Sequence, residues 1–428
     1  MITTIPVLEN SQLGSRAQWA ESPVGGVVVP DDVFQALRRF VFENEQAGNL
    51  LTYSVLKGRE LIQVRGYVGL LPVTPRTQLE ILPKVGPVDT SRWLLLNMLR
   101  HVQQSPFRTL SDAHTRAIEL PLWEVFIRAF LDTVEPLIRQ GIQQAYVSVD
   151  SNERFWKGKF QSIRQQRENA WHAERLAVTY DKRTADVPAN RILKTTLIYL
   201  SEQTTQAALQ RRLGQLIWAF DEVSTTECIP DELRSVRQSS RLFLRYHAAL
   251  RWAEALLQGR GYGLQTGQTP SLSLLFLMEQ VFEDYVAYGV RTFWSETAEV
   301  RVQEASAHLV DTHVGAPKFK LRPDIVIRHQ SRTFVLDTKW KQIMADEPGA
   351  SRGNYGIEQA DLYQLYAYGK KYEAEDIFLI YPANQTFQRP LDVFGYDATT
   401  RLHVVPFDLM KPLADEVEKL AAYALSFQ

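Results

Sequence analysis

Two short apolar runs separated by a polar turn limit what this chain can fold into more than any other stretch of it. Leu321-Arg322-Pro323-Asp324-Ile325-Val326-Ile327-Arg328 is followed by His329-Gln330-Ser331, and then by Arg332-Thr333-Phe334-Val335-Leu336-Asp337-Thr338-Lys339-Trp340. Strands joined by so short a connection pair as an antiparallel hairpin. With its centre between Gln330 and Ser331, the hairpin sets Asp324 opposite Asp337. Opposed residues hold their Cβ atoms about 4.5–5.5 Å apart, and like charges there are destabilising. Lys339, two residues beyond Asp337, shares its face and offsets part of that cost. A divalent cation, Mg²⁺ or Mn²⁺, would offset more of it, because hard cations favour carboxylate oxygens. A one-residue slip in register would send one acid to the other face.

The remaining pattern predicts a multidomain α+β chain. Val27-Val28-Val29, Leu51–Val55, Glu60–Val64 and the alternating Gln78-Leu79-Glu80-Ile81-Leu82 predict a β-rich domain over residues 1–88. Asp31 or Asp32 caps a short helix within it. A helical middle domain over 89–265 follows from apolar residues three and four apart, among them Trp93, Leu96, Val125, Phe126 and Phe130. Residues 146–186, with Trp156, Gly158, Phe160, Trp171 and the alternating Leu176, Val178 and Tyr180, interrupt that period and predict a finger-like β insertion. Gly259, Gly261, Gly263 and Gly267 mark a linker. Residues 266–428 then predict an α/β domain: a helix from Ser271 to about Phe293, strands over 300–304, 324–328 and 333–337, a helix over 357–372, strands over 377–381 and 402–405, and a closing helix over 412–427.

Composition excludes several classes of function. One cysteine, Cys228, among 428 residues rules out a disulfide framework, a thiolate zinc site and a four-cysteine iron–sulfur cluster, and it fits a reducing cytoplasm. Cys228 itself is expected to be buried or inert. No run approaches the roughly 18 apolar residues of a spanning helix. With 48 Lys and Arg against 49 acids, any surface for a polyanion must be local.

Pro323-Asp324 followed by Asp337-Thr338-Lys339 resembles the motif of the PD-(D/E)xK nuclease superfamily. That resemblance implies that Asp324, Asp337 and the carbonyl of Thr338 bind metal, and that Lys339 positions or helps deprotonate the attacking water. Gln364 and Tyr368, four apart on one helical face, resemble the Gln-Xaa-Xaa-Xaa-Tyr element of RecB-like members, which gives Gln364 a catalytic part. Glu279 and Glu283 are also four apart, and Glu283 is the candidate for a further metal ligand. Together with Leu79-Glu80-Ile81-Leu82-Pro83-Lys84-Val85 and Val187-Pro188-Ala189-Asn190-Arg191-Ile192-Leu193-Lys194, these segments are similar to the McrC family, the nuclease subunits of McrBC modification-dependent restriction systems.

The resemblance implies a Mg²⁺-dependent endonuclease of antiphage defence. Its substrate would be double-stranded DNA carrying a modified cytosine such as 5-methylcytosine. Its partner would be a hexameric AAA+ GTPase, McrB, which recognises and translocates DNA while the finger enters the ring and stimulates GTP hydrolysis. Two copies would meet on DNA to cut both strands. The chain has no Gly-Xaa4-Gly-Lys-Ser/Thr phosphate loop and is expected to bind no nucleotide itself. From Arg154 to Lys194, ten Lys or Arg face four acids, interleaved with Phe155, Trp156, Phe160, Trp171 and Tyr180. Such a stretch suits nucleic acid or a solvated face as well as a protein ring, and Arg183, Arg191 and Lys194 are the candidate ring contacts. His308 and His313 lack the cysteine pair of a zinc site. Two alternatives remain: a non-catalytic adaptor of the ring, and a stand-alone RecB-like repair or defence nuclease.

Overall fold

The computed structural model describes residues 3–19, 23, 26–43, 47–74, 76–102, 105–115, 119–238, 244–258, 274–295, 297–345 and 354–427. The linker glycines Gly259, Gly261, Gly263 and Gly267 lie outside them. The chain forms two compact units, one of Trp123–Gly259 with Met1–Thr3, the other of Thr4–Leu122 with Arg260–Gln428. The division expected at residue 88 therefore falls inside a unit.

The N-terminal part of the larger unit holds β1 (Thr3–Leu8), β2 (Gln12–Ser15), β3 (Val27–Val29), α1 (Asp31–Glu43), α2 (Ala47–Leu50), β4 (Leu51–Leu56), β5 (Arg59–Val64), β6 (Tyr67–Thr74) and β7 (Thr77–Leu82), followed by α3 (Val88–Leu99) and α4 (Asp112–Thr115). One sheet runs β3-β2-β5-β4. The other runs β1-β7-β6 and is completed by a strand from far along the chain, Leu274–Leu277. Leu275 from that strand shares a core with Val7, Leu13, Phe34, Leu37, Ile62 and Leu79, which is why the N-terminal sheets and the C-terminal third form one unit. Strand β7, expected to be half-buried, is buried on both faces. Glu80, 1% exposed, is held by a two-pronged pair from Arg92 of α3 at 2.7 and 3.0 Å and by the Leu122 N–H at 2.6 Å.

The smaller unit contains α5 (Leu122–Arg139), β8 (Ala145–Glu153), β9 (Lys159–Phe160), α6 (Ser162–Glu168), β10 (Leu176–Thr184), α7 (Pro188–Gln203), α8 (Ala207–Trp218), α9 (Ile229–Gln238) and α10 (His247–Gln258). Strands β8-β10-β9 form an antiparallel sheet, the inserted β region expected within the helices. Fully buried Asn190 closes its base, its amide donating to the carbonyls of Gln143, before β8, and Ala185, after β10, at 2.9 and 2.7 Å. Tyr146, Phe155, Trp156 and Trp171 are exposed on this region.

The C-terminal third contains β11 (Leu274–Leu277), α11 (Met278–Phe293), β12 (Glu299–Val302), β13 (His308–His313), β14 (Ala316–Lys320), β15 (Ile325–His329), β16 (Arg332–Thr338), α12 (Gln359–Lys371), β17 (Asp376–Pro382), β18 (Phe394–Gly395), β19 (Arg401–Phe407) and α13 (Leu413–Leu425). The helix expected from Ser271 has its start outside the described residues, and Leu274–Leu277 form a strand, so that α11 begins at Met278. The all-apolar Leu274-Leu275-Phe276-Leu277 carries no period that separates helix from strand, and antiparallel pairing with β6 makes it a strand. Gly69 permits that pairing: its φ is +120° and an added Cβ would lie 1.9 Å from the Leu274 carbonyl oxygen. Gly69→Ala is therefore expected to lower stability by about 1–3 kcal/mol, measurable by thermal unfolding, whereas Gly66→Ala, with open space around it, should change little.

A six-stranded sheet, β12-β15-β16-β17-β19-β18, forms the centre. It is antiparallel from β12 through β16 and parallel from β16 through β19. Leu365 and Tyr368 of α12, with Tyr372 just after it, pack on the face presenting Val326, Val335, Ile377 and Leu379. Trp294, after α11, and Tyr423 of α13 meet Phe334 and Phe378 on the other face. Burial on both sides explains why these strands read as continuous apolar runs.

Candidate active site

The β15–β16 hairpin has the register expected from its sequence. Ile325 pairs with Leu336 and His329 with Arg332, so Gln330 and Ser331 form the turn and Asp324 and Asp337 are the next opposed positions. Gln330 adopts φ +54°, as a tight turn requires. Asp324 lies in the bend before β15, and its Oδ2 accepts from the Thr338 N–H at 2.7 Å and the Thr338 hydroxyl at 2.8 Å. Asp337 and Thr338 are each 2% exposed. Lys339 Nζ pairs with Asp337 Oδ2 at 2.7 Å, a charge-assisted contact to a buried oxygen.

This is an electrostatically loaded centre. Burial, then the charges of Asp337 and Glu283, push the Asp324 carboxyl well above the usual carboxylate range, against the hydrogen bonds from Thr338. Burial also raises Asp337, opposed by Lys339 and reinforced by Asp361 and Glu279. Burial pulls Lys339 down, but Asp337, Asp324 and Asp361 outweigh it, so its pKa stands above that of a free lysine. Lys339 thus keeps its proton at neutral pH.

Neighbouring elements position these groups. On α11, Glu283 is half-buried and Oε1 accepts from Gln303 Nε2 at 2.6 Å, while Glu279 is exposed. Gln303, at φ +48°, also donates its N–H to the Asp324 carbonyl at 2.8 Å. Burial raises the Glu283 pKa, and Asp337 and Glu279 add to the shift. On α12, Gln364 Nε2 donates to the Tyr368 hydroxyl at 2.5 Å, and that hydroxyl donates to the Arg322 carbonyl at 3.1 Å. Gln364 and Tyr368 therefore brace the backbone two residues ahead of Asp324.

Asp361 and Glu9 were not singled out from the sequence. Asp361, 9% exposed, stands three residues before Gln364 and seven before Tyr368, so the longer helical pattern marked it. Glu9, 1% exposed, accepts from Trp340 Nε1 at 2.6 Å and from the Lys84 N–H at 3.1 Å, tying the N-terminal sheet to the segment that follows β16. No local signal links residues so far apart in sequence. Among the described residues, no three His, Cys, Asp or Glu side chains are already gathered as a set of metal ligands.

In the smaller unit, Arg191 is engaged by Glu232 at 2.8 and 3.0 Å, and Lys194 donates to the Val223 carbonyl at 2.5 Å. Both brace the helices. Arg183 is exposed on β10. Cys228, expected to be buried or inert, is exposed, its short loop before α9 having no core to enter.

Fold and centre define a multidomain mixed α/β protein with two opposed acids, Asp337 buried and Asp324 half-buried, and a lysine at one end of a central sheet. A family model described as McrBC 5-methylcytosine restriction system component matches residues 62–382. The chain belongs to that family. The fold is similar to a half-complex refined from a tetradecameric assembly of Thermococcus gammatolerans McrB AAA+ hexamers with bound McrC. That match has 17% identity and a TM-score of 0.74, and covers 99% of this chain and 100% of that one. A second similar structure, the Thermococcus gammatolerans McrBC complex solved by cryo-EM, gives 20% identity and a TM-score of 0.50 over 67% of this chain and 86% of that one. At these identities the likeness is one of fold. No curated protein matches the chain. Among the described residues, no helix is long and apolar enough to cross a membrane.

Proposed function

We propose that this chain is the Mg²⁺-dependent endonuclease subunit of a modification-dependent restriction complex, working with a McrB-type AAA+ GTPase. The observation that carries the reading is the opposed Asp324–Asp337 pair with Lys339 beside it. A metal fits the donor set: Asp324, Asp337 and Glu283, all raised by burial, share a single ammonium group, Lys339 at 2.7 Å from Asp337 Oδ2, a deficit of positive charge. Asp324, Asp337 and the Thr338 carbonyl would hold the ion, with Glu283 as a further acid and water completing the set, in keeping with the few protein ligands Mg²⁺ takes. When bound, the ion supplies positive charge to a phosphodiester oxygen and acidifies water.

The protein's own groups do the rest. Lys339, paired with Asp337 at 2.7 Å, would donate hydrogen bonds to water and a phosphate oxygen. Gln364 and Tyr368, through the Arg322 carbonyl, and Gln303, through the Asp324 carbonyl, hold the approach to β15 in place. The likeness to the McrB–McrC assembly supports the partner, and exposed Arg183 is the ring contact carried forward. Double-stranded DNA with a modified cytosine is the proposed substrate, and two copies acting together would cut both strands.

The test is a complex reconstituted with the GTPase on methylated DNA. Asp337→Ala should end cleavage while GTP hydrolysis is still stimulated. Undiminished cutting would remove the site assignment. A wild type that stimulates GTPase without cutting would make the chain an adaptor, and cutting by the chain alone would make it a stand-alone nuclease.

A further inference from the structure

The β13–β14 hairpin stands immediately ahead of Asp324 and serves neither the core nor the candidate centre. All ten residues from Asp311 to Lys320 are exposed. Val314 at the turn is 91% exposed and Phe319 is 73% exposed, with φ of +51° and +56°. Burying either side chain against a partner would be favourable. A solvated surface loop has no need of either. The base of the hairpin, by contrast, is fixed: Ala307 and Leu321 pack against the core under α12 and are joined by the Leu321 N–H to Ala307 carbonyl bond at 2.9 Å. Asp311 is tethered to Lys371 of α12 at 2.8 Å.

Charge completes the pattern. Between Ala305 and Arg322 the sole acid is Asp311, which Lys371 neutralises, whereas Lys318, Lys320 and Arg322 have no ion-pair partner among the described residues. Register sets Lys320 opposite His308 and Lys318 opposite Val310, so each lysine shares a face with its cross-strand neighbour. The result is an anchored, two-stranded ribbon with unpaired cations on its returning strand and apolar side chains at its tip, Val314, and between those cations, Phe319. In a chain with a net charge of −1 this cationic ribbon is a local feature.

We propose that the β13–β14 hairpin contacts duplex DNA beside the scissile phosphate, with Lys318, Lys320 and Arg322 on phosphates and Val314 and Phe319 against the groove wall. A two-stranded ribbon fits the major groove, about 12 Å wide, and unpaired cations gain from displacing counterions. A six-residue arm at about 3.3 Å per residue reaches about 20 Å, or about six base pairs at 3.4 Å each. The hairpin thus grips DNA close to the cut and runs straight into Pro323 and Asp324. Its contacts are to backbone and groove shape, leaving sequence or base recognition elsewhere.

This inference rests on the nuclease reading, and two measurements separate them. Binding of a short duplex by the full-length chain is followed by fluorescence anisotropy across a salt series without divalent metal. Wild type is expected to bind at low salt. Lys318→Ala combined with Lys320→Ala should weaken binding and reduce the slope of log K against log salt by about 1.8, two phosphate contacts at about 0.9 each. Phe319→Ser should weaken binding with the slope unchanged. Wild type that does not bind at low salt, or a lysine pair variant with unchanged affinity and slope, would overturn the hairpin's role. So would a lysine variant that binds DNA normally but loses its GTPase partner. Cleavage by Asp337→Ala tests the nuclease reading alone. If that variant still cuts while the lysine variant shows the lost slope, the hairpin stands and the site assignment falls.

Discussion

Asp324→Asn is expected to reduce DNA cleavage by about a thousandfold or more and, in metal-free buffer, to raise the melting temperature. The substitution keeps a side-chain carbonyl to accept from the Thr338 N–H and hydroxyl and removes the charge. Loss of one preorganised electrostatic group at a reacting centre costs about 10²–10³ in rate, and loss of a group expected to hold metal belongs at or beyond the upper end. The stability gain follows from linkage. Burial and the facing Asp337 raise the Asp324 pKa above its unfolded value near 3.9, so the folded state holds that proton more tightly. Stability from this group is greatest at low pH and declines as pH rises from the unfolded pKa through the folded one. At neutral pH this acid therefore opposes folding, and Asn relieves it. Mg²⁺ should stabilise the wild type by mass action and stabilise Asp324→Asn much less. Cleavage kinetics and melting scans with and without Mg²⁺ measure both effects, and a variant that cuts normally and melts lower would refute them.

Asp376→Ala is expected to destabilise the C-terminal third by about 3–5 kcal/mol, the cost of breaking a buried ion pair from one side. Asp376 is 1% exposed at the start of β17, opposite Phe334 of β16. Its carboxylate accepts from Arg332 at 2.6 Å, Arg401 at 2.8 Å and fully buried His403 at 2.9 Å. Burial pushes its pKa up, but His403, Arg332 and Arg401 outweigh that and hold it at about 2. A depressed acid contributes stability that is complete above its unfolded pKa, near 3.9, and that is lost as pH falls toward about 2. Wild type should therefore lose stability across that window in a way Asp376→Ala does not. Denaturant unfolding at neutral pH and at pH below the window measures the difference, and equal losses in both proteins would exclude this network as the cause.

Rules that act over a few residues made much of the centre legible. The two-residue turn at Gln330-Ser331 and the alternation of strand side chains fixed the hairpin register, and that register alone opposed Asp324 to Asp337 and aligned Lys339. Gln364 and Tyr368 were visible as a helical pair, but their part as a brace on the Arg322 carbonyl depends on where α12 lies on the sheet. The β13–β14 hairpin was missed because it has no buried face and so lacks the apolar alternation by which strands are read.

By itself, then, the sequence determined the β15–β16 hairpin, the acids and lysine it carries, the inserted β region among helices, and the absence of a phosphate loop. All follow from local spacing, which a chain carries before it folds. Only the tertiary structure decided that Leu274–Leu277 is a strand of the N-terminal sheet. It also brought Glu283 and Asp361 to the acids, set Glu9 against Trp340, and committed Arg191 and Lys194 to their own helices. The physical reason is the same in each case: the partners lie tens to hundreds of residues apart, and nothing in a short apolar or charged run says which distant surface will satisfy its hydrogen bonds and charge.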